Sequence, residues 1–124
     1  MNKRILVVDD EARIARLLSM RLKSLGYIVS IAYNGTDCVQ IAKGEVPDLI
    51  LMDIKMPFKD GIKAFEELIG SEITQSIPVI FMTAHLRIEL KLRLVKMGAT
   101  GFISKPFSDK EIEQTIAETL DNSI

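Results

Sequence analysis

The sequence lacks tryptophan altogether and has one cysteine, Cys38, one histidine, His85, and only four prolines in 124 residues. A lone cysteine excludes an internal disulfide and any multi-cysteine zinc site, and Cys38 reads as a small apolar residue for burial. No apolar run approaches the roughly 20 residues that a bilayer span requires. The opening basic pair, Lys3-Arg4, is followed by only four apolar residues, Ile5 to Val8, before two carboxylates, which is too short for a secretory signal. A soluble cytoplasmic protein without a membrane anchor is the expectation. The formal net charge of −1 lacks the basic excess that phosphate-backbone binding needs, so direct nucleic-acid contact is not expected. Internal repeats, low-complexity tracts and Pro/Gly/Ser-rich linkers are absent too, and residues 1–124 read as one domain.

Instead, short apolar runs rich in β-branched residues alternate with longer amphipathic segments. Ile5 to Val8, Ile28 to Ala32, Leu49 to Met52, Val79 to Met82 and Gly101 to Ser104 read as strands. Glu11 to Leu25 carries Ile14, Leu17, Leu18, Leu22 and Leu25 at helical spacing, with Gly26 as a stop. Gly35 to Lys43, Gly61 to Ile69 and Ser108 to Leu120 continue the series, with Ser108 placed to cap the last helix. Leu86 to Leu94 alternates with period two, as a strand would. The βα alternation, the stop at Gly98 and the helix-favouring Leu, Arg, Glu and Lys content make it a helix. Ile88, Leu92, Val95 and Ala99 are then assigned to the core. Leu86, Leu90, Leu94 and Met97 form a second apolar stripe, either a partner surface or packed beneath the following elements. The pattern predicts an α/β domain with a parallel sheet and right-handed crossovers.

Reactive residue types follow the apolar runs directly: Asp9 and Asp10 after the first, Asp53 after the third, Thr83 after the fourth and Lys105 after the fifth. The carboxyl ends of parallel strands share one edge, where open α/β sheets place their ligands. The second strand ends in Tyr33-Asn34, without such a group, and reads as an edge strand. Three converging carboxylates would repel one another without a cation. Mg²⁺ suits them, with Mn²⁺ able to substitute, because it takes oxygen ligands in octahedral geometry and uses few carboxylates. Lys105 and Thr83 opposite the metal would supply charge neutralisation and a hydrogen bond to a transferring phosphoryl group, and a carboxylate could accept that group as an acyl phosphate.

Four motifs in order carry a resemblance over nearly the whole chain. They are Val7-Val8-Asp9-Asp10-Glu11, Leu51 to Pro57 with Asp60-Gly61, Val79 to Ala84, and Gly98-Ala99 followed by Lys105-Pro106-Phe107. The chain resembles the receiver domain of two-component response regulators, the CheY-like family. The resemblance implies a flavodoxin-like sheet of strand order 2-1-3-4-5 flanked by five helices. It implies that Asp9 and Asp10 hold Mg²⁺ with Asp53 and the backbone carbonyl of Lys55. Asp53 would receive phosphate from a histidine kinase or phosphotransfer protein. Thr83 would move toward the phosphate, Phe102 would turn inward behind it, and Lys105-Pro106 would be a cis bond. Receiver domains often pair through their fourth and fifth helices. With the basic Arg87, Lys91, Arg93 and Lys96 facing an acidic last helix, a phosphorylation-linked homodimer is expected there, and beyond it a downstream protein or output domain. The stretch after Gly98-Ala99 lacks the acidic pair of many DNA-binding regulators, which favours a stand-alone receiver or one cut from a protein without a winged helix.

Each residue has a plainer reading. Asp9-Asp10 could cap a helix, Lys105 could be solvated, and Thr83 could be an ordinary strand-end hydroxyl. His85 reads as a loop residue, and both it and the Lys55 side chain could affect water access to an acyl phosphate. An aspartyl phosphohydrolase would need a second Asp two residues after the nucleophile, where this chain has Lys55. A flavin module would need a hydroxyl- and Gly-rich loop where Asp9-Asp10-Glu11-Ala12 stands. A receiver that had lost phosphorylation would be expected to lack some of Asp9, Asp10, Asp53, Thr83 and Lys105.

Overall fold

A computed structural model describes residues 2–122; Met1 and residues 123–124, on which the readings of the chain's start and end partly rest, lie outside the described residues. Five strands alternate with five helices: β1 Arg4–Val8, α1 Ala12–Ser24, β2 Ile28–Ala32, α2 Gly35–Glu45, β3 Leu49–Asp53, α3 Gly61–Ile69, β4 Val79–Thr83, α4 Ile88–Met97, β5 Gly101–Ser104 and α5 Asp109–Asn122. The strands pair in parallel in the order β2-β1-β3-β4-β5, which makes β2 an edge strand as its ending suggested.

The central strands read as continuous apolar runs because both faces of a parallel sheet are covered. Every residue of β3 and β4 is buried, whereas β2 is buried only at Ala32. Alternate residues feed two cores. Leu6, Val8, Ile50, Met52 and Phe81 face α2, α3 and α4; Ile5, Val7, Leu49, Leu51, Ile80 and Met82 face α1 and α5. Phe81 sits edge-on to Phe65 and stacks on Phe102, so truncating it to alanine would cost about 3–5 kcal/mol. Cys38 is buried as expected, its Sγ 3.8 Å from the Met52 sulfur, and burial pushes its thiol up to about 12, which leaves it protonated and unreactive.

The helix starts follow capping chemistry. The Asn34 and Asp60 side chains accept from the Asp37 and Lys63 amides at 2.8 and 2.9 Å, and the Ser108 hydroxyl accepts from Glu111 N–H at 3.1 Å, as expected of that serine. Gly98, in the left-handed region at φ 108°, closes α4. The Leu86 to Leu94 segment is thus helical from Ile88 despite its two-residue alternation.

Its orientation reverses the assignment of the two stripes. Leu94 is fully buried, and Leu86, Leu90 and Met97 pack against the core containing Phe65 and Phe81. Ile88, Leu92 and Val95 instead remain 63, 57 and 50% exposed. Leu86, Leu90, Leu94 and Met97 are therefore not the outward surface. Both stripes have helical spacing, and the rotation of α4 about its axis is set by the aromatic cluster beneath it. Leu90, Leu94 and Met97, all unbranched at Cβ, pack into the core that contains that cluster. Ala99, beyond the helix, does join the core. In α1 likewise, Ala15, Leu18, Ser19 and Leu22 form the buried face, while Leu17 and Leu25 of the predicted apolar set are exposed. Among the described residues no helix is long and apolar enough to cross a membrane.

Candidate functional site

Three of the predicted side chains arrive at the carboxyl edge because three neighbouring strands end there. Asp9 follows β1, and Asp53 and Thr83 are the final residues of β3 and β4, one residue further into the strands than the sequence pattern placed them. Each is buried, whereas Asp10, one step beyond Asp9, is exposed. Carboxylate oxygens of Asp9, Asp10 and Asp53 lie within 4.8 Å of one another.

Lys105 follows β5 and reaches across the sheet edge to this group. Its Nζ donates to Asp9 Oδ2 at 3.0 Å and lies 3.4 Å from Asp53 Oδ2. Its partner on the sheet is β4: the Lys105 amide donates to the Thr83 carbonyl at 2.8 Å, which holds the start of the β5–α5 loop against the site. The Lys105-Pro106 peptide bond is cis, in agreement with the resemblance. Lysine thus supplies part of the cation that the three carboxylates demand. Three carboxylates against one ammonium leave the cluster with a formal charge of −2 at neutral pH.

The electrostatics follow from burial and crowding. Burial pushes the Asp53 carboxyl above its ordinary range; Lys105 opposes this, while Asp9 and Asp10 add to it. For Lys105, burial acts to lower the ammonium pKa, but the hydrogen bond to Asp9 and the charges of Asp53 and Asp9 outweigh it and raise the value. Lys105 is therefore positively charged at neutral pH.

The plainer reading of Asp9-Asp10 as a helix cap does not hold, because the N-cap of α1 is Glu11 and no side chain caps that helix. Asp9 Oδ1 accepts from the Glu11 amide at 3.0 Å and shapes the turn into α1, while Oδ2 takes Lys105. The Thr83 hydroxyl lies within its own loop, 3.3 Å from both the amide and the carbonyl of His85. An open cleft of about 250 Å³ has Asp10, Glu11, Asp53, Lys55, Thr83, Ala84, His85 and Lys105 on its walls. A neighbouring depression is lined by Asp10 and the β3–α3 loop, Ile54, Lys55, Met56, Pro57 and Asp60. Phe102 stands apart from the cleft, half-buried, its ring 6.2 Å from that of Phe81 and covered by Lys91 Nζ at 5.7 Å.

Two glycines that the sequence did not mark as site residues lie against this machinery. A Cβ on Gly61 would collide with the backbone carbonyl of Asp53, and one on Gly35 would stand 2.5 Å from the carbonyl of Lys59. Neither has a positive φ, so glycine is needed for close approach alone. Gly61 could have been found from the Asp60-Gly61 motif; for Gly35 the sequence offers only an Asn-Gly step, which reads as an ordinary turn.

Residues 5–117 match the response regulator receiver domain, and the chain belongs to that family. It is 38% identical over 118 residues to the probable transcriptional regulator ycf27 of Porphyridium aerugineum, an alignment covering 95% of this chain and 48% of that protein. The chain thus spans about half the length of the curated relatives it matches. Among solved structures, a CheY-like receiver domain protein from Methanospirillum hungatei superposes with a TM-score of 0.93 at 28% identity, covering 99% of this chain and 97% of that one. The receiver domain of sensor histidine kinase PA1611 from Pseudomonas aeruginosa, described with a magnesium ion coordinated in its active-site cleft, superposes with a TM-score of 0.88 at 27% identity, covering 98% of this chain and 99% of that one. The order 2-1-3-4-5 with five helices is the CheY-like, flavodoxin-like fold that the resemblance implied. The chain is a response regulator receiver domain of the two-component type.

Proposed function

We propose that Asp53 is the phosphoacceptor of a Mg²⁺-dependent receiver spanning residues 1–124. The supporting observation is the cluster of Asp9, Asp10 and Asp53 oxygens within 4.8 Å, with Lys105 bridging two of the three carboxylates. Its residual charge of −2 and all-oxygen donors fit a hard divalent ion, Mg²⁺ or in its place Mn²⁺. Asp9, Asp10, Asp53 and the Lys55 carbonyl would hold it. The metal would supply charge neutralisation on the phosphoryl oxygens.

The reacting bond is simple to balance. An ionised Asp53 oxygen forms a bond to phosphorus as the donor's P–N bond breaks, for a phosphohistidine, and the imidazole leaves with the electron pair and takes up a proton. Lys105 neutralises charge on the transferred group. Thr83 releases its loop partner His85 and turns its hydroxyl to the phosphoryl oxygen, and Phe102 moves inward over Phe81 as space opens. The phosphoryl group stays on Asp53, so the chain is a switch that assists its own phosphorylation and dephosphorylation and turns over no separate substrate. Lys55 and His85 are both exposed on the cleft wall, a position from which they could affect water access to the acyl phosphate.

The donor is a histidine kinase or phosphotransfer protein in the cytoplasm, and the recipient of the signal is a partner protein or output domain; net charge −1 speaks against DNA contact by this domain. The exposed Ile88, Leu92 and Val95 stripe of α4, next to Lys91, suits a phosphorylation-linked homodimer through α4 and α5. Sedimentation that stays monomeric with and without beryllofluoride would remove the dimer. The central test is intact-mass analysis after incubation with a small acyl phosphate. A gain of one phosphoryl group is expected with Mg²⁺, none after metal removal and none in Asp53→Asn. Full labelling of that variant would refute the assignment.

A further inference from the structure

We infer that Gly35, at the start of α2 on the edge of the sheet that contributes no reactive group, is a positioning residue for the metal-binding loop of residues 54–60. The inference rests on the proposed Mg²⁺ site. Near its ends the loop is tied to the sheet: the Ile54 amide donates to the Met82 carbonyl at 3.2 Å, and the Gly61 amide returns to the Ile54 carbonyl at 2.8 Å. Gly61 lets the Asp53 carbonyl lie flat against the start of α3.

Between those ties the loop rests on Gly35. A Cβ there would stand 2.5 Å from the Lys59 carbonyl and 2.7 Å from its Cγ, so the carbonyl and the inner side-chain carbons of Lys59 fill the space a side chain would occupy. Lys59 also forms an ion pair with Glu67 of α3. Gly35 itself is fixed, because Asn34 caps α2 and Cys38, Val39 and Ala42 anchor that helix in the core.

The loop bears the mark of an imposed conformation. Phe58, immediately before Lys59, has φ +66° and is fully exposed. A bulky residue in the left-handed region is strained, and no packing of its ring offsets the strain. Such a conformation persists where the flanking structure over-determines it, and the contact of Lys59 with Gly35 is the flanking constraint. Moving Lys59 would shift the same short loop that carries the Lys55 carbonyl and, with Asp10, walls the depression beside Asp53.

Gly44 provides the control within the same helix, since a Cβ there meets nothing within 4 Å. Calorimetric titration of the purified chain with Mg²⁺ and with Mn²⁺, alongside circular dichroism, is the test. Gly44→Ala should bind metal as the wild type does. Gly35→Ala should stay folded and bind at least about 10-fold more weakly, the loss typical of disturbed support around a metal site. Gly35→Ala with Lys59→Gly should recover part of the affinity, because two of the three atoms that the new methyl meets belong to the Lys59 side chain. Wild-type affinity in a folded Gly35→Ala protein, an equal loss in Gly44→Ala, or failure of both Gly35 variants to fold would overturn the positioning role. A wild-type chain that binds neither metal would instead overturn the reading of the site on which it rests.

Discussion

The two ends of the sheet are built from the same strands but balance their charges in opposite ways. At the amino end, the Arg4 amide donates to Asp48 at 2.7 Å, the Arg4 guanidinium pairs with Glu45 at 3.3 Å, and Glu45 also accepts from the Ser30 hydroxyl at 2.6 Å. At the carboxyl end, three carboxylates share one lysine, and two of them are buried. One end includes a charge partner for Arg4 and a hydrogen-bond acceptor for its amide. The other is left electrically incomplete, an arrangement that costs stability and, on the proposed function, would favour binding of a cation and then of a phosphoryl group.

The largest effect expected from this contrast is stabilisation by metal. Mg²⁺ at about 100 times its dissociation constant should raise stability by about 2.7 kcal/mol in thermal or urea unfolding. Asp9→Asn or Asp53→Asn should remove most of that gain, while Glu45→Gln should leave it intact. Equal metal stabilisation in all of these variants would dissolve the contrast.

Asp48→Ala should have the next largest effect, a loss of about 1–2 kcal/mol from leaving the Arg4 amide without its acceptor. Mg²⁺ binding should be unchanged, as titration calorimetry would show. Asp53→Asn should act in the opposite direction, gaining about 1 kcal/mol in metal-free buffer, or about 4 °C in Tm for a chain of this size. The direction follows from the raised Asp53 pKa. The folded state holds that proton more tightly than the unfolded chain, so the contribution is fully present below the unfolded carboxyl value and lost as pH rises through the folded one. The advantage of the Asn variant should therefore fade as pH falls through that range. If Asp53→Asn is destabilising at neutral pH, the carboxyl end is balanced after all. The smallest effect belongs to Glu45→Gln, within about 1 kcal/mol, because the Arg4 pair is exposed and screened.

How much was legible in the sequence differs between these features. All five strands and the helices were readable from β-branched runs, helical spacing and glycine stops, to within a few residues. The convergence of Asp9, Asp53, Thr83 and Lys105 followed from their places after apolar runs, since parallel strands share a carboxyl edge. The orientation of α4 was not legible: Ile88-Leu92-Val95 and Leu90-Leu94-Met97 have the same spacing, and only the Phe65, Phe81 and Phe102 cluster decides between them.

By itself, then, the sequence determined the order of elements, the parallel sheet and the identity of the groups at its carboxyl edge. These depend on local periodicity and on which residue follows which strand. The tertiary structure alone decided that Lys105 bridges Asp9 and Asp53, that the Thr83 hydroxyl lies against its own loop, and that Gly35 lies against Lys59. Those are contacts set by the rotation and approach of whole elements, and the one at Gly35 involves no side chain on the glycine that a sequence pattern could register.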